Sequence, residues 1–135
     1  MHKANNRGYS LLEVMIVLLI MSILAMAAVP LYQRHLVKSR RYEAEQVLIA
    51  SALALEHYHQ TARSYKGATL SNLNVDLQTI SDYYTVLVTY KSSTSYVVSA
   101  IPNPNQDDKA CGTLTLNQLG QRGYSGVAKL LSDCW

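Results

Sequence analysis

Glu13 is the residue of this chain whose position most needs a chemical reason. It stands at the head of the apolar run Leu11 to Val29, in which Ser22 is the other polar interruption. An ionised side chain inside hydrocarbon costs roughly 2.5–3.5 kcal/mol on insertion scales. A carboxylate retained there implies either a cationic partner or a place at the membrane surface, to which it snorkels. Cys111 and Cys134 form the second group with chemical potential. In a small exported domain two cysteines most simply make one disulfide, and a zinc site would need two further ligands at a usable spacing, which the sequence lacks. Such a bridge closes a short loop, is worth roughly 3 kcal/mol, and requires an oxidising compartment.

The remaining reactive side chains form weaker patterns. His57 and His59 lie two apart, about 160° around a helix, so they cannot chelate one metal as an i, i+4 pair would. Asn103, Asn105 and Asp107 are spaced like the opening of a calcium loop, yet the glycine expected at its sixth place is missing and Leu114 occupies the place of the bidentate glutamate. No metal, no cofactor and no catalytic constellation is therefore expected, and the chain reads as a non-enzyme. Lys66, Lys91, Lys109, Arg122 and Lys129, with Tyr124 and Trp135, offer cations interleaved with aromatic rings, a pattern that can hold nucleic acid. Asp107, Asp108 and Asp133 lie among them, so DNA is a possible partner but not the favoured one.

These groups have to be positioned by elements the pattern makes plain. The chain has 135 residues, twelve Lys and Arg and nine Asp and Glu. Lys3 and Arg7 precede the apolar run, and without them ten basic residues face nine acidic ones. That is not the charge balance expected of a polyanion-binding protein. Nineteen helical residues rise about 28 Å, enough to span a bilayer. After Pro30, the positions Ala44, Val47, Leu48, Ser51, Leu55 and Tyr58 recur at three- and four-residue intervals, leaving Glu43, Glu45, Gln46 and Glu56 to face outward. One helix is expected from about Ser10 to about Thr61, bent at Pro30, where a backbone hydrogen bond is lost. The basic group "RHLVKSRR" beyond it suits lipid phosphates or contacts with Glu43 and Glu45.

Residues 62–82 are rich in Ser, Asn and Thr and read as an irregular connection. "YYTVLVTY" and "SYVVSAI", dense in β-branched and aromatic residues and joined by "KSSTS", read as an antiparallel hairpin. A further strand falls at "CGTLTLN", followed by a turn at "QLGQRG". Ten tyrosines and no phenylalanine imply that tyrosine supplies the rings of the core or sheet, with hydroxyls at the solvent boundary.

Composition leaves the amino terminus open between a membrane anchor and a cleaved signal peptide, since Ala25, Ala27 and Ala28 resemble a cleavage site. Charge does not resolve it, because Arg34, Lys38, Arg40 and Arg41 follow the run and outnumber Lys3 and Arg7 before it. The joint occurrence of Gly8, Tyr9, Glu13 four residues later and Pro30 at the far end resembles the amino-terminal signature of the type IV pilin superfamily. Tyr9 and Ser10 stand where that family usually carries Phe or Met and then Thr. The tail "CGTLTLNQLGQRG" with a terminal "CW" is similar to that of short, PilE-like minor pilins.

The resemblance implies an α+β fold: a long amino-terminal helix packed on a three- or four-stranded antiparallel meander, with a carboxyl-terminal D-region bounded by Cys111 and Cys134. It implies a leader at 1–8, a transmembrane and filament-core helix at 9–30, and a head at 31–135. Within the head it implies a helical second half at 31–61, a connecting loop at 62–82, the sheet at 83–124 and a tail at 125–135. A prepilin peptidase would cut between Gly8 and Tyr9, Tyr9 would carry the methylated amine, and Glu13, the fifth mature residue, would pair with the amine of a neighbouring subunit to set register. The partners implied are other pilins and minor pilins, the peptidase, the inner-membrane assembly machinery and, before assembly, inner-membrane lipid. The protein would stand in the inner membrane with a periplasmic head and then in an extracellular filament. The favoured role is a minor pilin that initiates or caps assembly. A pseudopilin of type II secretion and a DNA-receptor pilin are the alternatives.

Overall fold

The computed structural model describes residues 8–90 and 92–135. The leader, all but Gly8, and Lys91 lie outside the described residues. Contacts divide the chain into two units, Met1–Leu36 and Val37–Trp135. One helix, α1, runs Leu11–Ala62 and continues through Pro30.

In the first unit α1 is apolar on almost every side over residues 11–29, and every described residue through His35 is exposed. A helix hydrophobic all round belongs in lipid or in a helix bundle, and this one is long and apolar enough to cross a membrane. In the second unit α1 becomes amphipathic. Ala44, Val47, Leu48, Ser51 and Leu55 are buried as the spacing predicts, and Ser51 satisfies its hydroxyl by donating to the Val47 carbonyl at 2.7 Å. Glu45 departs from expectation: it is buried instead of facing outward, because its place on α1 falls between Arg41 and Leu48 on the stripe that the head covers.

Four strands follow: β1 (Tyr84–Tyr90), β2 (Tyr96–Pro102), β3 (Leu114–Asn117) and β4 (Arg122–Tyr124), an antiparallel meander in sequence order. The register pairs Val98 with Val88 on one side and with Leu116 on the other. Alternation puts Tyr96, Val98, Ala100, Leu114 and Leu116 in the core beside Leu48 and Leu55 of α1. β4 lies where the sequence reads as turn, since a three-residue strand with a central glycine carries almost no β pattern. Gly123 is needed there: a Cβ would come within 2.6 Å of the Thr115 hydroxyl.

Tyrosine does replace phenylalanine in this core. Tyr84 and Tyr96 are the largest fully buried side chains, and their hydroxyls reach Asp108 at 3.0 Å and the Ala52 carbonyl at 3.4 Å. Burial pushes both phenols up, so they remain protonated donors. Tyr65 packs edge-on against Tyr96 at 4.7 Å and donates to Glu56 at 2.8 Å; burial, then the Glu56 contact, pushes its hydroxyl up to about 12.

Candidate functional site

The amino-terminal candidates lie together on the exposed start of α1. Tyr9 is 84% exposed, and with Glu13, Val14, Val17 and Leu18 it borders one shallow hollow. No hydrogen bond or ion pair reaches the Glu13 carboxylate from the described residues. Gly8 has open space around it.

The head contains a polar centre that no sequence pattern announces. Arg41 of α1 donates Nε to Asp108 Oδ2 and Nη2 to Asp108 Oδ1, both at 2.7 Å, and Nη1 to the Asp133 carbonyl at 3.0 Å. Asp108 also accepts from the Tyr84 hydroxyl at 3.0 Å and from the Cys111 amide at 3.2 Å. Gln106 donates to the Tyr84 hydroxyl at 3.2 Å and to the Val37 carbonyl at 3.0 Å, while its Oε1 is buried with no partner among the described residues. Burial opposes the Arg41 charge, but the hydrogen bonds and field of Asp108 outweigh it and hold the guanidinium above its ordinary pKa. Arg41 therefore serves the head, not the lipid phosphates or Glu43 and Glu45 as the basic cluster suggests. Its partner lies 67 positions away, beyond any local signal.

Cys111 and Cys134 are bonded, with Cα atoms 5.4 Å apart and both residues buried. The bridge holds the tail beside the Arg41 contact to Asp133. The calcium-like residues are engaged elsewhere. Asn103 donates to the Ser81 carbonyl at 2.9 Å and accepts from Thr85 at 2.7 Å, and Asn105 donates to the Asp82 carbonyl at 3.5 Å. His59 stacks on Tyr65 at 4.4 Å, while His57 is exposed. Among the described residues no His, Cys, Asp and Glu cluster could hold a metal.

Of the nucleic-acid candidates, Lys66, Lys109, Arg122 and Lys129 are all exposed; Lys91 lies outside the described residues. Arg122 sits 5.2 Å from the Trp135 ring, which is fixed by its Nε1 donating to the Gly123 carbonyl at 2.9 Å. Tyr124 donates to the Ala128 carbonyl at 2.8 Å. The acids expected to oppose these cations are unequal: Asp107 and Asp133 are exposed, but Asp108 is withdrawn into the pair with Arg41. An exposed ion pair at 3.5 Å joins Lys109 to Asp107.

Residues 30–115 match the family model described as type IV minor pilin ComP, DNA uptake sequence receptor. The chain belongs to this family of type IV minor pilins. Residues 3–29 match the prokaryotic N-terminal methylation motif, so the family match and the processing motif together take in everything from Lys3 to Cys111 and a little beyond. The chain is similar to a type IV pilin from Shewanella oneidensis, at 29% identity and a TM-score of 0.57, covering 73% of this chain and 97% of that one. It is also similar to the non-core minor pilin PilV of Neisseria meningitidis, at 25% identity and a TM-score of 0.56, covering 68% and 89%. Among proteins of curated function none matches the chain. The minor pilin thus has the α+β pilin fold its residues imply, with the disulfide in the expected place, and its family is a structural one.

Proposed function

We propose that this minor pilin is a DNA receptor carried in a type IV pilus, its head presenting the basic and aromatic residues that meet the duplex. The observation that carries the reading is the match of residues 30–115 to a family described as DNA uptake sequence receptors. The head's chemistry supports it. Withdrawal of Asp108 leaves exposed cations less opposed than the sequence suggests, and Arg122 against Trp135 gives a flat cation beside an aromatic face. The test is duplex binding by the full-length chain in detergent as salt is varied, with DNA from the host's own genome set against foreign DNA of equal length. Own DNA should bind tighter, and log K should fall by about 0.9 per phosphate contacted for each decade of salt. Arg122→Ala should weaken binding to both DNAs and flatten that slope; binding equal for both DNAs would overturn the receptor reading.

We infer for the amino terminus that prepilin peptidase cuts between Gly8 and Tyr9, that Tyr9 is then methylated, and that Glu13 pairs with the Tyr9 amine of a neighbouring subunit. The inner membrane holds the chain first, and the extracellular filament afterwards, with Pro30 allowing α1 to bend. The carboxylate of Glu13, exposed beside Tyr9 and without a partner among the described residues, supports this. Opposite charges in low dielectric attract strongly enough to offset much of the cost of burying each. Glu13→Ala should leave membrane insertion and processing intact while reducing the amount of the subunit recovered in sheared pili by about tenfold or more; normal recovery would sink the register role. Deleting the gene separates the receptor from a subunit that initiates or caps assembly: a receptor leaves pili on the surface and removes DNA uptake, whereas an initiator removes the pili.

A further inference from the structure

Glu45 is 8% exposed, and no hydrogen bond or ion pair reaches its carboxylate from the described residues. It lines a pocket of about 190 Å³ between α1 and the carboxyl-terminal tail, with Lys38, Arg41, Tyr42, Ser132 and Asp133 around it. We propose that this pocket is a socket for a basic side chain of an adjacent pilin subunit, which enters it to pair with Glu45.

Glu45 is largely buried, but its oxygens keep a route to solvent through the pocket, so a cation arriving from outside can reach them. Pairing would offset part of the cost of holding the charge there. Burial raises the Glu45 pKa against the opposing fields of Arg122 and Arg41, neither of which bonds to it. Arg41 is already engaged by Asp108 and the Asp133 carbonyl. Arg122 is drawn to the Trp135 ring. Among the described residues the charges still unengaged around the pocket are two carboxylates, Glu45 and Asp133, against the ammonium of Lys38, which is exposed and 5.8 Å from the Tyr42 ring. The complement is a cation with several N–H donors, as a lysine or arginine supplies. Membership of a filament-forming family puts such side chains of other subunits within reach of an exposed pocket mouth, and the proposal rests on that membership and not on DNA binding.

A photo-crosslinking residue placed at Ser132 of the full-length chain in piliated cells tests it, with the same residue at Val17 as a measure of incorporation. Ser132 is expected to crosslink a lysine- or arginine-bearing peptide of another pilin subunit. Glu45→Gln should cut that product by about tenfold relative to the Val17 product, as loss of one partner of a buried charge pair does. Asp133→Asn, at an exposed position where folding is not at stake, should cut it by about threefold. Crosslinks that survive both acidic substitutions, that fall equally at Ser132 and Val17, or that join no other subunit would each overturn the socket.

Discussion

Asp108→Ala is expected to destabilise the head by about 3–5 kcal/mol, because it strands a buried guanidinium. The Asp108 side chain is 1% exposed and that of Arg41 10%. Removing the carboxylate leaves Arg41 Nε and Nη2, the Tyr84 hydroxyl and the Cys111 amide without their acceptor. A domain with a total stability of about 5–15 kcal/mol loses a large part of it. The urea midpoint should fall accordingly, and the melting temperature should fall by well over 10 °C, at about 4–8 °C per kcal/mol for a domain of this size. The joint replacement of Arg41 by Met and Asp108 by Leu should recover most of that loss, since an apolar pair removes both charges together and leaves neither unpaired. Tyr84→Phe on the same background separates the tyrosine's share. If the two single substitutions prove additive in the double variant, the pair is not the coupled unit described here.

That pair also marks the boundary of what the amino-acid order makes legible. Glu13, Pro30 and the two cysteines stand out because each breaks a local pattern or has few possible partners. The meander is legible because Val98, Ala100, Leu114 and Leu116 alternate with less buried neighbours. Buried charge is different. Arg41 and Glu45 lie in a stretch whose composition is that of a solvated helix face, and only residues 103–111 and the tail, folded back from far along the chain, turn that face inward. The use of Asn103 and Asn105 is equally long-range: their amides tie the loop to Ser81, Asp82 and Thr85. β4 escapes notice because it is three residues long with a central glycine, and the need for that glycine comes from Thr115 across the pair, where a Cβ would meet the hydroxyl.

The DNA reading gains weight through the same long-range contacts. From the residues alone, three aspartates counter the exposed cations of the head. Once Asp108 is committed to Arg41, the acids that still face solvent among these cations are Asp107, in its exposed pair with Lys109, and Asp133, while Glu45 lies within the field of Arg122. A charge count is blind to this, since it weights a buried ion pair and a solvated side chain equally, whereas a duplex approaching from solvent does not.

Replacing Cys111 and Cys134 together by Ser should cost about 3 kcal/mol, the chain-entropy value for a loop of this length, which spans a sequence separation of 23. The loss should be seen first in the tail. The bridge fixes Cys134 beside the Asp133 carbonyl that receives Arg41 Nη1, and one residue later Trp135 donates to Gly123. Trp135 is the chain's sole tryptophan, so its fluorescence reports the tail alone, while far-ultraviolet circular dichroism reports α1 and the sheet. With the bridge intact the two probes should give one urea transition. Without it the tryptophan signal should change at lower urea, the β1, β2 and β3 ladder persisting because its strands pair without the tail. Between those two transitions duplex binding should already be weakened, since Arg122 loses the ring it lies beside while Lys66 and Lys109 keep their places. Coincident transitions in the Ser variant would mean that the tail is an integral part of the head's cooperative unit. Unchanged duplex binding at intermediate urea would remove Arg122 and Trp135 from the DNA surface while leaving the disulfide's stabilising role intact.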